Sequence, residues 1–197
     1  RRPSQGAAAI SGLKGSDVGE GAGWSWTALI LREVEQKPAF DTLGVGSRTA
    51  NEALTAAFAA TPDTAARAVL QTQINVFLCP SDDSPYTAAG SARRVSDAAG
   101  AGTARDTVVT NYLGVNRGAP AGNAHVSMVE SWDENGVFAV NRSTKFAQIT
   151  DGTSNVLFIG ERVWDMPYAT GTGSRQARAG LLFMAGGSNL DADTCGN

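Results

Sequence analysis

Trp24-Ser25-Trp26-Thr27-Ala28-Leu29-Ile30-Leu31-Arg32-Glu33-Val34-Glu35-Gln36 is the stretch on which the fold reading turns. Trp26, Ile30 and Val34 recur at helical spacing, Leu29 and Leu31 widen the apolar side, and Pro38 closes the run. The pattern predicts an amphipathic helix over 24–36. Residues 49–60 then place Ala53, Leu54, Ala57 and Phe58 on one stripe. A second short helix restarts after Thr61-Pro62-Asp63, with Pro62 near its first turn, so 49–72 reads as a helical hairpin or a broken helix.

Past Gln73 the texture changes. Ile74-Asn75-Val76-Phe77-Leu78 alternates as a strand does, and Cys79-Pro80-Ser81-Asp82-Asp83 is turn chemistry. Residues 84–106 carry Gly90, Gly100 and Gly102 without periodicity and are expected to form a long surface excursion. Strands are expected at 107–115, 136–140, 146–149, 155–163 and 180–185, separated by Gly, Asn and Asp clusters. Helices first and strands afterwards predict an α+β fold, with the N-terminal helices packed through Trp26, Ile30 and Val34 on an antiparallel sheet. Residues 1–22, rich in Gly, Ala and Ser, read as a flexible lead-in, and 23–197 as a single globular domain.

Composition narrows the function. The 197 residues are 42% hydrophobic, enough to bury a core, and only 18% charged, with a net charge of −3. Lys14, Lys37 and Lys145 are the only lysines and the arginines are scattered, so neither a nucleic acid nor a polybasic membrane contact is expected. No stretch approaches the length of a spanning helix. His125 is the sole imidazole, which excludes most zinc sites. It makes His125 the only possible base for a Ser-His-Asp or Cys-His mechanism, yet no G-x-S-x-G elbow accompanies it. No catalytic residue and no cofactor are therefore expected.

Carboxylates are the remaining chemistry. Asp191-Ala192-Asp193 opens like a calcium loop but has Cys195 at the third ligand position. Asp151-Gly152-Thr153-Ser154-Asn155 is the densest turn signal, read as a structural turn between strands in which Asp151 accepts N–H bonds from Thr153 or Ser154. Its competitor is a calcium site formed by Asp151 with Glu161 and Asp165. Trp24, Trp26, Trp132 and Trp164 could line a sugar platform if exposed, against the commoner fate of aromatic residues in the core. Cys79 and Cys195 leave two readings open, a bridge in an oxidising compartment or two small hydrophobes in a reducing one.

Several ordered segments resemble the DUF1559 family of planctomycete-type bacteria. Gly23-Trp24-Ser25-Trp26 with Ala28-Leu29-Ile30-Leu31 and Glu35-Gln36 is similar to that family's GWSW segment, and Phe77-Leu78-Cys79-Pro80-Ser81-Asp82 to its F-L-C-P-S-D. Asn111-Tyr112-Leu113-Gly114-Val115 resembles its S-N-Y-x-G-V. Gly136-Val137-Phe138, Ile149 to Asn155 and Ile159-Gly160-Glu161-Arg162 resemble its G-x-F, its I-x-D-G-T-S-N and its G-E-R segments. The resemblance marks Trp24, Trp26, Pro80, Asp82, Asp151, Gly152, Asn155 and Glu161 as structural motif positions.

It implies a pilin-like or pseudopilin-like head of an exported, non-enzymatic subunit of a filament, a type II secretion system or the cell envelope. Such a subunit would carry a prepilin cleavage and methylation motif, with Arg1-Arg2 just after a missing N-terminal helix that is its only membrane contact. Its partners would be other pilin-like subunits or envelope proteins, in the periplasm, the envelope or at the extracellular surface. Export in turn implies a bridge between Cys79 and Cys195. The alternative is an extracellular binding module for a glycan or small solute, using exposed tryptophans and the 84–106 and 116–135 loops.

Overall fold

The computed structural model describes residues 23–82, 95–96, 104–115, 137–138, 144–163, 165–170, 173–178 and 180–185. The architecture is α+β. Strand β1 (Gly23–Trp24) leads into α1 (Trp26–Leu29), α2 (Lys37–Leu43), α3 (Ala50–Ala57) and α4 (Thr64–Leu70), and a 3₁₀ turn (Asn75–Phe77) follows. Short strands come next, β2 (Val95–Ser96), β3 (Ala104–Arg105), β4 (Val109–Thr110), β5 (Tyr112–Gly114), β6 (Ile159–Glu161), β7 (Asp165–Thr170), β8 (Gly173–Arg178), β9 (Gly180–Leu181) and β10 (Met184–Ala185), with 3₁₀ turns at Phe146–Gln148 and Thr153–Asn155 between β5 and β6.

The expected helix over 24–36 is mostly absent. Trp24 extends instead as a strand residue opposite Met184. Ser25 caps the four-residue α1, its hydroxyl accepting the Ala28 N–H at 3.3 Å. Beyond Leu29 the ladder breaks up: the Ile30 N–H bonds the Thr27 carbonyl, and the Gln36 N–H reaches back to the Leu31 carbonyl at 2.7 Å with Glu35 at φ +63°. That six-to-one closure around a left-handed residue is a helix-terminating turn. The buried side is also rotated from the expected one. Thr27, Ala28 and Leu31 are fully buried, whereas Trp26, Ile30 and Val34 pack at its margin. The contiguous apolar run 28–31 carries no single stripe, and the core takes the smaller Thr27 and Ala28.

The helical hairpin forms as read, with clear local causes. Thr49 and Glu52 exchange side-chain-to-backbone bonds as a capping box for α3, and the Asp63 carboxylate accepts the Ala66 N–H at 3.0 Å to cap α4. Pro62 precedes that cap rather than lying in the first turn. Ala50, Ala53, Leu54 and Ala57 bury the inner face of α3, while Ala66 and Leu70 do so for α4.

The expected strand at 74–78 is a 3₁₀ turn, because the core takes Ile74 and Phe77, three residues apart, and leaves Val76 outside. Residues 146–149 are likewise not a strand. The Gln148 carboxamide accepts the Lys145 N–H at 2.8 Å, winding Phe146–Gln148 into a 3₁₀ turn with Phe146 exposed. The β structure is a set of separate antiparallel pairs rather than one sheet among the described residues: β1 with β10, β2 with β3, β4 with β9, β5 with β6 and β7 with β8. The β7–β8 hairpin, pairing Asp165 with Arg178 through Thr170 with Gly173, was not anticipated. Gly171-Thr172 between its strands is a two-residue turn signal that its polar, non-alternating flanks conceal.

The segment 107–115 shows why the sheet is divided. Val109 and Thr110 pair with Leu181 and Gly180, the chain bends at Asn111, and Tyr112 to Gly114 pair with Glu161 to Ile159. A single strand thus changes partners at one buried asparagine. The core lies between this segment, the helical hairpin and 181–184, with Trp24, Leu54, Leu70, Val108, Leu182 and Phe183 essentially inaccessible.

Candidate functional site

Asn111, fully buried, is the point where three motif-bearing segments meet. Its N–H donates to the Phe77 carbonyl at 3.1 Å, and the Thr110 hydroxyl donates to that same oxygen at 2.9 Å. Its Oδ1 accepts the Cys79 N–H at 3.0 Å. Its Nδ2 donates to the Arg162 carbonyl at 3.0 Å and to the Asp82 carboxylate. The Arg162 N–H returns to the Asn111 carbonyl at 2.8 Å. One carboxamide offers one acceptor oxygen and two N–H donors, and all of these are engaged here. The arrangement joins 77–82, 110–112 and 162 as a keystone would.

Local sequence makes this possible. Cys79-Pro80-Ser81-Asp82 closes as a turn with Pro80 at its second position, and the Asp82 N–H bonds the Cys79 carbonyl at 3.2 Å. The turn presents the Cys79 N–H and the Asp82 carboxylate towards Asn111. Cys79 Sγ stands 3.1 Å from Ser81 Oγ. Cys79 is a half-buried free cysteine in the structure, and its expected partner Cys195 lies outside the described residues. Beside the hub, Tyr112 faces Glu161 across the β5–β6 pair. Burial first, then the Glu161 carboxylate and Cys79, push the Tyr112 phenol above its ordinary value.

The first motif segment docks next to the hub. The Trp26 ring meets Phe77 edge-on, with centroids 6.3 Å apart, and Phe138 at 5.5 Å. Gly114 lies beneath them: a Cβ there would stand 2.9 Å from Phe138 and 3.2 Å from Trp26, so the close approach requires glycine. Trp24 is buried and its indole N–H donates to the Arg48 carbonyl at 3.0 Å. The Ser25 and Thr27 hydroxyls both donate to the Leu182 carbonyl, tying this segment to 180–185.

The segment 151–155 stands apart and exposed. Gly152 takes φ +84°, ψ 136°, which side-chain-bearing residues rarely adopt, and a 3₁₀ turn spans Thr153–Asn155. The latch belongs to Asn155, whose carboxamide donates to the Asp151 carbonyl at 2.9 Å, and not to the expected Asp151 carboxylate. Glu161 is exposed on β6, and Asp165 opens β7. No three carboxylate, thiol or imidazole groups come together among the described residues, and the Asp165 side chain of the expected Asp151, Glu161 and Asp165 alternative lies outside them. His125, Trp132 and Trp164 lie outside the described residues. A shallow groove of about 450 Å³ near Gly44 is bordered by Arg32, Phe40 and Asp41. Its Arg32 stacks 4.1 Å above the Phe40 ring and pairs with Asp41 at 3.3 Å. No helix among the described residues is long and apolar enough to cross a membrane.

A family model described as a protein of unknown function (DUF1559) matches residues 7–191. The chain belongs to the DUF1559 family. No curated protein and no solved structure matches it. In this DUF1559 chain the GWSW, F-L-C-P-S-D, N-Y-L-G-V and G-E-R segments are adjacent in space and joined through Asn111 and Trp26. From the sequence, Trp26, Pro80, Asp82 and Glu161 stand out as motif positions, whereas Asn111 enters only within the N-Y-x-G-V match, without a role of its own.

Proposed function

We propose that this DUF1559 chain is the globular head of an exported, non-enzymatic, pilin-like or pseudopilin-like subunit that assembles with other such subunits or with envelope proteins. The observation that supports the reading is the saturation of Asn111. The polar groups that converge on Asn111 satisfy one another instead of presenting a nucleophile, a base and an acceptor cradle to a substrate. Such a hub serves a head that must keep its shape outside the cell.

The glycan-binding alternative finds no help at Trp24, which is buried, or at Trp26, which is engaged with Phe77 and Phe138. The test is to express the complete gene product in a host with an active prepilin peptidase and to sequence the mature N-terminus. Cleavage with N-methylation is expected, and an unprocessed chain retained in the cytoplasm would overturn the reading. Free-thiol titration of the unfolded, unreduced protein recovered from outside the cytoplasm tests the implied Cys79–Cys195 bridge. No reactive thiol is expected, and two would refute the bridge.

A further inference from the structure

The segment 151–155 takes no part in the Asn111 hub and is exposed from Asp151 to Asn155. Asp151-Gly152 is the only Asp-Gly pair in the sequence. Among the described residues the Asp151 carboxylate has one polar contact, the Thr150 hydroxyl at 3.5 Å, which is too long to hold it. The Gly152 N–H donates to nothing among them. Gly152 holds φ +84°, and the one atom within 4 Å of where a Cβ would project is Asn155 Nδ2 at 3.6 Å, so no side chain shields the peptide nitrogen.

That peptide unit is polarised from its other end. The Asn155 carboxamide donates to the Asp151 carbonyl at 2.9 Å, and this carbonyl belongs to the same amide as the Gly152 nitrogen. A peptide nitrogen becomes a nucleophile only as its proton leaves, and the charge then spreads onto the carbonyl oxygen, where a positioned donor stabilises it. Asn155 is such a donor.

We propose that Asp151 is a site of self-modification, at which the Gly152 nitrogen closes on the Asp151 side chain and converts the residue to isoaspartate with assistance from Asn155. The bond from Gly152 N to Asp151 Cγ forms, the Gly152 N–H proton passes to solvent, and the Cγ–O bond of the protonated carboxyl breaks, its oxygen leaving as water. Water then opens the five-membered imide. Addition at Cγ restores aspartate, whereas addition at the Asp151 main-chain carbon leaves the peptide link running through Cβ and Cγ. One water leaves and one returns, so the conversion consumes nothing. The product has one more main-chain atom, and the carbonyl that Asn155 now holds becomes a free carboxylate beside the chain. Because the turn buries none of its residues, the core should be unaffected.

The step needs only water and is independent of whether the chain assembles. The test is to keep the folded protein for weeks in mildly acidic buffer, digest it with trypsin and follow the peptide 146–162, released by cleavage after Lys145 and Arg162. A second chromatographic peak of unchanged mass, with isoaspartate placed at 151 by electron-transfer fragmentation, is expected. Deamidation of Asn155 would raise the mass of that peptide and is thereby distinguished. Asp151→Glu, which would have to close a six-membered ring, should abolish the second peak. Asn155→Ala should slow its appearance in the folded protein roughly 2–10-fold, the effect of one hydrogen bond on a barrier. In the guanidinium-unfolded chain, where the latch is absent, the same substitution should leave the rate unchanged, and the melting curves of all the variants should match wild type. A folded protein that forms no isoaspartate at 151 would overturn the proposal, and so would a folded Asn155→Ala variant that isomerises as fast as wild type or faster.

Discussion

Replacing Asn111 by aspartate tests the keystone with almost no change in shape. The new side chain keeps an acceptor for the Cys79 N–H, held at 3.0 Å in the wild type. It sets an oxygen where Nδ2 now donates to the Arg162 carbonyl at 3.0 Å and to the Asp82 carboxylate. Two buried hydrogen bonds become oxygen–oxygen contacts, one of them between like charges. Losing the bonds costs about 1 kcal/mol each, and the uncompensated buried charge raises the total to about 3–5 kcal/mol.

For a chain of 197 residues that is a fall in melting temperature of roughly 6–20 °C. Asn111→Ala, which leaves orphaned groups but adds no charge, should cost less, about 2–3 kcal/mol. Combining Asn111→Asp with Asp82→Asn restores one donor–acceptor pair and should recover about 1 kcal/mol relative to the sum of the single changes. Burial raises the introduced carboxyl above the ordinary aspartate value of about 3.9, so its ionised form carries the penalty. The deficit should therefore grow as pH rises through that value and shrink at lower pH. Urea unfolding followed by circular dichroism at pH 7 and pH 4 measures all of these. A single mutant within about 0.5 kcal/mol of wild type, or the absence of coupling to position 82, would refute the keystone.

Gly114→Ala should push the Phe138 and Trp26 rings apart and destabilise by about 1–3 kcal/mol, read in the same urea assay together with a change in tryptophan fluorescence. Glu35→Gly should stabilise by about 0.5–1 kcal/mol in thermal melts, because Glu35 holds φ +63° with no side chain of its own committed to that turn. The hydrogen bond from Lys37, opposed by partial desolvation and assisted by Arg32, holds the Asp41 carboxyl below its ordinary value. Its stabilising effect is therefore present above the unfolded-state value and is lost as pH falls through the folded one, and Asp41→Asn should flatten the acid limb of the stability–pH curve. Since the pair is exposed, that difference should also fade with added salt.

The parts of the fold that local chemistry decides were legible in the sequence. Thr49 with Glu52 and the Asp63 cap define α3 and α4 through bonds made within four residues, and Pro80 with Asp82 does the same for the turn after Cys79. What failed was set by partners distant in sequence. Trp24 is a strand residue only because Met184 pairs with it, and α1 stops where the core admits Ala28 and Leu31 but not Leu29. Val76 and Phe146 carry strand-like apolarity yet sit outside, because the core has room for Phe77 and the Gln148 cap closes the chain on itself. The role of Asn111, quoted only as part of the N-Y-x-G-V match, went unassigned for the same reason. A carboxamide in a β-branched run gives no local sign of how many groups it will satisfy.

A buried asparagine with every hydrogen-bonding group engaged also bears on what this family's motifs are for. Segments far apart along the chain bring the Asn111 and Asp82 side chains together with the main-chain groups of Phe77, Cys79 and Arg162. Beside the hub, burial and the Glu161 carboxylate hold the Tyr112 phenol above its ordinary value. Trp26, Gly114 and Phe138 close the neighbouring space by direct contact. Asn111, Trp26 and Gly114, all within segments that resemble the family, are thus packing and hydrogen-bonding residues, whereas 151–155 stands exposed. These contacts are made within the chain, by side chains and main-chain groups that meet one another across long stretches of sequence.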